Sequence, residues 1–303
     1  MRVLKALLVP FKGLLIGSSM TVPGVSGGTM AILLGIYDRL IAAISHFTKD
    51  IKGNVWFLLK FCFGAVIGFA ALASVIGDLL EMFPIPVSCF FLGAIIGGIP
   101  ALYRKTKESR FKVSSVLYIL LGMGIVLGIG FLPQELIPEI GGLNFTSLLI
   151  WLVAGLVVSL ALVLPGISTT HMLMVLGIYT TMSTAIKTVL VWLKSLLGGT
   201  PPQENVGQAV MFLTLLVIST LIGVFLITRP LEWTMKKFPH QTYCIIMGFV
   251  VGSLADIAKD TVWPALQVEQ AVWKWAITGV VSVITLAAGM AGILFLSRFS
   301  EEE

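Results

Sequence analysis

The chain contains two copies of a Pro-Gly-x-Ser motif whose residue types suit the binding of an oxyanion. The first copy ends at Ser26 and the second at Ser168. Proline interrupts the backbone hydrogen-bond ladder, glycine permits a turn and serine is a preferred N-cap, so each serine is predicted to begin a new helix. The first turn of a helix exposes unpaired N–H groups and carries part of a positive charge, which favours a phosphate. The predicted ligands are Ser26, Gly27, Gly28 and Thr29 in the first copy and Ser168, Thr169 and Thr170 in the second.

Two ionisable side chains lie close to these motifs in the sequence. His171 is the only residue of the charge-free run 140–186 that titrates near neutral pH. It is a candidate to contact phosphate when protonated or to carry a coupled proton, and the alternative is a neutral histidine bonded to a hairpin carbonyl. Arg39 follows the first motif and is a candidate to meet a phosphate at the cytoplasmic mouth of the site. The alternative is that Asp38 and Arg39 end a helix in water.

The composition restricts the class of protein to which these motifs belong. Apolar residues make up 57% of the chain and charged residues 12%, whereas soluble domains have about 25% charged residues. So few charges cannot cover a water-facing surface, which excludes a soluble enzyme and a disordered binder and predicts an all-α polytopic membrane protein. The net charge of +5 gives no sign of a nucleic-acid partner. No cofactor or metal site is predicted, because Cys62, Cys89 and Cys244 lie in apolar stretches without a Cys-x-x-Cys spacing.

The two motifs lie in the two halves of an internal repeat. Residues 22–37 and 164–179 are identical at eight of sixteen positions, with an offset of 142 residues. Charge-free runs mark the membrane segments, because a charge in the middle of a bilayer is costly, and each half has one run broken by Pro-Gly and three further runs. The predicted first repeat, 1–134, has a re-entrant hairpin at 13–37 and helices at 55–79, 84–103 and 113–133, and the second, 140–303, has a re-entrant hairpin at 146–179 and helices at 207–228, 242–258 and 272–298.

The distribution of basic residues favours re-entrant hairpins over elements that cross the membrane once. With re-entrant hairpins and a cytoplasmic N-terminus, sixteen of the twenty Lys and Arg residues face the cytoplasm, and single crossings place thirteen there at best. Each half then has three crossings, so the second repeat is inverted relative to the first and both termini are cytoplasmic. Inverted repeats with broken helices that meet near the midplane are typical of secondary transporters. The arm 146–164 is long enough to span the membrane alone, so its depth stays open at this point.

Residues 23–40, PGVSGGTMAILLGIYDRL, and the PGIS and LGIY residues of 165–179 resemble the polyprenyl-phosphate transporter family, the undecaprenyl-phosphate translocases. The resemblance covers essentially the whole chain in length, repeat and segment order. It implies a multi-pass transporter of the bacterial plasma membrane, not an enzyme, that returns undecaprenyl phosphate or a related polyprenyl phosphate from the outer to the inner leaflet for cell-envelope polymer synthesis. It also implies that the headgroup binds at the two motifs by alternating access while the isoprenoid tail stays among membrane lipids. A proton or cation is a candidate coupling ion.

Two other functions remain open on the sequence. The same pair of motifs would serve a secondary transporter of a small soluble anion, which differs by a water-lined pathway instead of a groove open to lipid. An intramembrane serine hydrolase is the second alternative, because residues 24–27 form a Gly-x-Ser-Gly pattern and His171 is available as a base. That reading requires the serine and the histidine to lie within hydrogen-bonding distance of each other.

Overall fold

A computed structural model describes residues 2–22, 24–106, 113–133, 144–198, 206–267 and 272–300. All regular secondary structure in these ranges is helical, as predicted. The helices are α1 (Arg2–Ser19), α2 (Gly27–Leu33), α3 (Tyr37–Ser45), α4 (Ile51–Met82), α5 (Pro84–Thr106), α6 (Val113–Gly130), α7 (Phe145–Val163), α8 (Thr169–Val175), α9 (Tyr179–Gly198), α10 (Val206–Lys237), α11 (Pro239–Ile257), α12 (Trp263–Leu266) and α13 (Val272–Ser300), with a π-helical turn at Ala258–Val262. Pro23 of the first motif lies outside the described residues.

The prediction of a polytopic helical membrane protein is confirmed by the length and apolar character of these helices. Seven segments among the described residues are long and apolar enough to cross a bilayer, and up to nine are if each of two bent helix pairs counts as one span. The bent pairs are α2 with α3 and α8 with α9, which turn through 114° and 108°. Large apolar side chains are exposed along the outer faces of α4, α10 and α13, as expected for surfaces that contact lipid.

Each broken element has two turns, whereas the sequence analysis placed one turn in each. The second turn lies in the repeated Leu-Gly-Ile-Tyr sequence, where Gly35 and Gly177 have φ angles of 66° and 70°. This left-handed region favours glycine and ends the short helices α2 and α8. The broken elements are therefore α1–α2–α3 and α7–α8–α9, with three helices each. They extend over Arg2–Ser45 and Phe145–Gly198, compared with the predicted 13–37 and 146–179.

The long helices pack as parallel pairs through glycines that leave no room for a side chain. Along α1 and α4, Gly13 lies against the carbonyl of Phe61 and Gly17 against that of Ala65, so residue numbers rise together in both helices. Along α7 and α10, Gly155 lies against Ser219 and Gly223 against Ser159, which is the same parallel arrangement. Small residues at such contacts permit the close approach that stabilises helix pairs in a membrane.

In the two central helix pairs, α5 with α13 and α6 with α11, each pair joins one helix from each half of the chain. Gly93 of α5 lies against Leu286 of α13, and Gly122 of α6 lies against Ile245 of α11. The first half thus contributes α5 to one pair and α6 to the other. The two halves are interlocked by this exchange instead of forming two separate bundles.

The bundle has two ends, which we call end A and end B. At end A, α3 ends beside the start of α4, where the amide Nδ2 of Asn54 donates to the carbonyl of His46 over 3.1 Å. Polar contacts at end A also join α3 to α5, through Lys105 and Asp38, and to α10, through Ser45 and Glu232. End B contains the last residue of α6, Gly130, and the π-helical turn after α11. The turns of both broken elements lie between the two ends.

Candidate functional site

The two Pro-Gly-x-Ser motifs meet in the interior of the protein. The amide of Gly166 donates a hydrogen bond of 2.8 Å to the hydroxyl of Thr29, which is 0% exposed. Gly28 lies directly beside Pro165, because a methyl group added to Gly28 would come within 3.1 Å of the proline Cα. The start of α2 therefore packs against the turn that precedes α8, as expected if both motifs form one site.

Glycine is required at both first turns by backbone conformation and by space. Gly24 and Gly166 have φ angles of 81° and 82°, which are in the left-handed region. A side chain at Gly24 would collide with Ile257, and one at Gly166 would collide with the backbone of Phe249. Both turns are thus held against α11, and this fixes where α2 and α8 begin.

The two N-cap serines are equivalent in position but differ in their hydrogen bonds. Ser168 caps α8, since its hydroxyl accepts a hydrogen bond of 3.3 Å from the amide of His171. Ser26 precedes α2 with the same extended backbone, yet its hydroxyl makes no cap bond. It is 2% exposed and has no hydrogen-bond partner within the described part of the chain. A buried hydroxyl without a partner costs about 1–3 kcal/mol, so such a group is of interest as a ligand-binding group.

A cavity of about 980 Å³ lies beside the contact between the motifs and extends toward end B. The start of α8 forms its polar wall, to which the π-helical turn and Tyr179 contribute further polar groups. The polar residues in this wall are Ser168, Thr169, Thr170, His171, Tyr179, Lys259 and Asp260. Gly27 of the first motif also lines the cavity, whereas Ser26 and Thr29 lie behind its surface.

The opposite wall of this cavity is mostly apolar, with Thr220 of α10 as a polar residue in it, and reaches the outer surface of the bundle. Phe69 of α4 and Val217 and Leu221 of α10 line it, and their exposed fractions are 53%, 55% and 54%. These faces belong to helices long enough to span a membrane. The cavity therefore opens sideways, between α4 and α10, onto the surface that faces lipid.

A second cavity of about 180 Å³ lies on the side of the motifs that faces end A. It shares Met20, Gly27 and Thr169 with the larger cavity, so these residues separate the two spaces. Tyr37 lines the small cavity, and its buried hydroxyl donates to the carbonyl of Val163 over 2.9 Å. That bond joins α3 to the end of α7 and narrows the path between the motifs and end A.

His171 faces the large cavity and connects α8 to two other elements. Its Nε2 lies 3.3 Å from the carbonyl oxygen of Ile129 in α6, and its Nδ1 lies 4.0 Å from a carboxylate oxygen of Asp260. The carbonyl it contacts is in α6 and not in the hairpin, which differs from the alternative considered on the sequence. The histidine is thus placed between a neutral acceptor and a carboxylate at the edge of the polar wall.

Arg39 is not brought together with the other predicted ligands. It is exposed, its guanidinium lies 4.8 Å from the centre of the Phe57 ring, and it lines neither cavity. Asp38 beside it is engaged by Lys105 and Tyr243 at end A. These contacts attach α3 to α5 and α11.

Lys259 and Asp260 also line the large cavity and were not among the residues predicted from the sequence. The sequence does contain a feature that points to them, because Asp256, Lys259 and Asp260 place three charges within five residues at the end of an otherwise apolar helix. Their orientation depends on the π-helical turn at Ala258–Val262, which no sequence pattern predicts. Such turns occur frequently at functional sites.

The half-helices α2 and α8 have only seven residues each. The dipole of a helix is the sum of its aligned peptide units, so two turns supply a weaker field than the sequence analysis assumed. The capacity of this site to bind an anion therefore depends on hydroxyl and amide donors and on full charges nearby. Lys259 and His171 are the described residues that can supply such a charge to the large cavity.

These features define a multi-pass helical membrane protein with a cavity that joins a polar wall at two broken helices to an opening toward lipid. Residues 16–279 match the family model described as VCA0040-like, undecaprenyl phosphate translocase-like, and the chain belongs to this family. A protein of Vibrio cholerae serotype O1 named polyprenyl-phosphate transporter is 29% identical over 269 residues, which cover 84% of this chain and 76% of that protein. A protein of the same name from Staphylococcus aureus is 32% identical over 295 residues, which cover 96% of each chain. No solved structure matches the chain. The predicted family and the multi-pass bacterial membrane location are confirmed.

Proposed function

We propose that this protein carries undecaprenyl phosphate, or a related polyprenyl phosphate, from the outer to the inner leaflet of the plasma membrane. The phosphate binds at the polar wall of the large cavity, and the isoprenoid chain leaves between α4 and α10 into lipid. One observation carries this proposal, namely that a single cavity joins Thr169 and His171 to the lipid-facing Val217 and Leu221. The names of the two relatives agree with a substrate of this class.

A small soluble anion fits this cavity less well. Such a substrate would need a path lined by polar groups and closed to lipid, because water must remain in contact with the ion until it binds. Here the opening between α4 and α10 is mostly apolar, since Phe69, Val217 and Leu221 line it and Thr220 is the one hydroxyl among the described α10 residues there. The apolar tail of an amphiphilic substrate can pack against that wall, whereas inorganic phosphate has no apolar part that could contact it.

The geometry also disfavours a serine hydrolase. A nucleophilic serine needs a base within hydrogen-bonding reach. The Ser26 hydroxyl is buried without a partner in the described part of the chain, and the ring of His171 contacts Ile129 and Asp260 instead. We therefore propose transport without a covalent intermediate and assign no catalytic residue.

We further propose that the chain consists of two inverted repeats, each with a re-entrant broken element, and that end A faces the cytoplasm together with both termini. The parallel packing of α1 on α4 and of α7 on α10 supports this, because each broken element then returns to the end from which it entered. In the centre, α5 pairs with α13 and α6 pairs with α11, so each pair has one helix from each half. A two-fold axis in the membrane plane that relates the two halves would produce such pairs. Arg104, Lys105, Lys236 and Lys237 at end A agree with a cytoplasmic location.

In the proposed mechanism, the phosphate site is reached alternately from the two sides. The large cavity gives access from end B, which is the outer side in this orientation. The Tyr37–Val163 hydrogen bond and the contacts of α3 with α5 and α10 limit access from end A. Movement of α3 away from α7 would open the small cavity to the cytoplasm while Met20 and Thr169 remain at the boundary.

The proposal is tested in proteoliposomes with an assay that reports undecaprenyl phosphate in each leaflet. We expect protein-dependent movement of the lipid between leaflets and no protein-dependent uptake of inorganic phosphate under the same gradients. Uptake of inorganic phosphate without lipid movement would instead support the soluble-anion transporter. Liposomes without protein measure spontaneous lipid movement, and liposomes with an unrelated multi-pass protein control for bilayer disturbance.

A further inference from the structure

We propose that Lys259 is the residue that supplies the positive charge to a bound phosphate, and that Asp260 is the neighbouring acid that limits how tightly the phosphate binds. This inference rests on the proposed function and assigns the charged part of its site. A phosphomonoester needs a counter-charge in a poorly hydrated space, because burying an unpaired ion is very costly. Lys259 is the one Lys or Arg residue among the described residues that line the large cavity.

The π-helical turn explains how a lysine comes to face this cavity. Residues Ala258–Val262 interrupt the continuation of α11, and Lys259 and Asp260 both line the cavity from this turn. The start of α8 and the π-helical turn are adjacent within the polar wall, since His171 Nδ1 lies 4.0 Å from a carboxylate oxygen of Asp260. A phosphate beside Thr169 and Thr170 would therefore lie between hydroxyl groups on one side and Lys259 on the other.

The present partners of Lys259 are ones that it can exchange for an anion. Its ammonium group donates to the carbonyl of Gly130, the last residue of α6, and lies 4.8 Å from the centre of the Phe131 ring. A terminal helix carbonyl has no partner within its own helix and can be solvated by water instead. An ammonium group has three donors, and the described hydrogen bonds use one of them. Charge-assisted bonds to phosphate are stronger than a bond to a neutral carbonyl.

Two carboxylates lie near the proposed phosphate site and would repel a bound anion. Asp260 lines the cavity, and Asp256, which is 8% exposed, lies behind it next to Gly130. Asp260 offsets the charge of Lys259, so a phosphate is bound weakly enough to be released. Removal of the lysine charge should weaken binding, and removal of the Asp260 charge should strengthen it.

The test measures binding of undecaprenyl phosphate to the full chain in nanodiscs, with uncharged undecaprenol as the comparison lipid. We expect Lys259→Gln to lower the affinity for undecaprenyl phosphate at least tenfold and to leave undecaprenol unchanged. Lys259→Arg should stay within about threefold of the wild type, because it keeps the charge. Lys274→Gln is the matched control, since Lys274 carries the same charge, lies beside the Trp273 ring and does not line the cavity.

The inference fails if folded Lys259→Gln binds undecaprenyl phosphate as the wild type does. If Lys259→Gln does not fold, Asp260→Asn decides, because it must bind the phosphate lipid more tightly, and unchanged or weaker binding refutes the inference. Competition by inorganic phosphate distinguishes a site for the free ion from one that requires the lipid. A wild-type protein that does not bind undecaprenyl phosphate would overturn the proposed function itself, whereas wild-type binding that is insensitive to Lys259 overturns only the present assignment.

Discussion

The hydroxyl of Thr29 accepts a hydrogen bond from the amide of Gly166, a residue 137 positions later in the chain, and this bond joins the two broken elements at their turns. Thr29 was predicted to be a ligand of the phosphate group. In the structure its hydroxyl accepts a hydrogen bond from an amide in a turn that has no helical partner for it, and its role as a ligand stays a prediction. The bond holds the start of α2 against the turn before α8.

Substitution of Thr29 by valine should therefore destabilise the protein more than it changes ligand affinity. Valine keeps the shape but leaves the Gly166 amide without a partner, at a cost of about 1–3 kcal/mol. Thermal unfolding in detergent measures this loss of stability. Thr29→Ser keeps the hydroxyl, so this variant should retain most of the wild-type stability. Thr228→Val is the matched control, because the Thr228 hydroxyl is also fully buried but its described hydrogen bond goes to the Val224 carbonyl of its own helix. Equal destabilisation by both substitutions would contradict the special role of Thr29.

The serines at the two N-caps should respond differently to alanine. Ser168→Ala removes a cap bond and should cost about 1 kcal/mol of stability. Ser26→Ala removes a buried hydroxyl that has no partner in the described part of the chain, so stability should be unchanged or slightly higher. If Ser26 binds substrate, its alanine variant should nevertheless transport more slowly. Unfolding and leaflet-resolved transport are measured on the same preparations, and wild-type transport by Ser26→Ala would remove this serine from the site.

The sequence predicted those features that depend on local chemistry. The Pro-Gly turns, the N-cap positions at Ser26 and Ser168 and the apolar length of the helices all follow from residue types at fixed spacing. It did not predict features that depend on packing between distant residues. Whether the Thr29 hydroxyl faces a ligand or the Gly166 amide is decided by contacts across 137 residues.

The second turn in each broken element has a marker in the sequence but was not predicted from it. Gly35 and Gly177 stand in the repeated Leu-Gly-Ile-Tyr sequence, and a glycine within a helical pattern is tolerated, so it does not by itself predict a break. The positive φ angles at both positions reveal why glycine is there. The π-helical turn that orients Lys259 had no comparable signal, because no residue preference in the sequence specifies it.

Alanine at Gly35 or Gly177 should destabilise the protein, because a left-handed backbone costs an L-residue about 1–2 kcal/mol. The expected result is a lower unfolding temperature for each variant and altered transport, since the direction of α3 or α9 depends on the turn. Gly77→Ala serves as the control, because Gly77 lies within α4 with open space around it and alanine favours a helix. A neutral effect at Gly35 together with a neutral effect at Gly77 would show that the second turn is not required.

His171→Gln tests whether this histidine carries a coupled proton. Glutamine can still donate to the Ile129 carbonyl, but it does not titrate. If the histidine carries the proton, transport by the variant should lose the pH dependence that the wild type shows. His240→Gln is the matched control, because His240 contacts Thr106 and Ser115 at end A, away from both cavities. A pH profile identical to that of the wild type would exclude His171 from coupling and leave it a role in holding α8 against α6.

Tryptophan at Val217 tests the sideways opening of the large cavity. Val217 lies on α10 at the lipid-facing edge of the cavity, and a larger ring there would occupy the space through which we propose that the isoprenoid tail leaves. We expect transport of undecaprenyl phosphate to fall by at least tenfold, with little change in unfolding temperature, because an exposed apolar residue in a membrane can be enlarged without repacking a core. Val283→Trp is the control, since Val283 of α13 is 70% exposed and lines neither cavity. If both variants transport at the wild-type rate, the tail does not pass between α4 and α10. A fall in both would instead indicate a general effect of tryptophan on the lipid-facing surface, and the opening would have to be sought with smaller substitutions at Leu221.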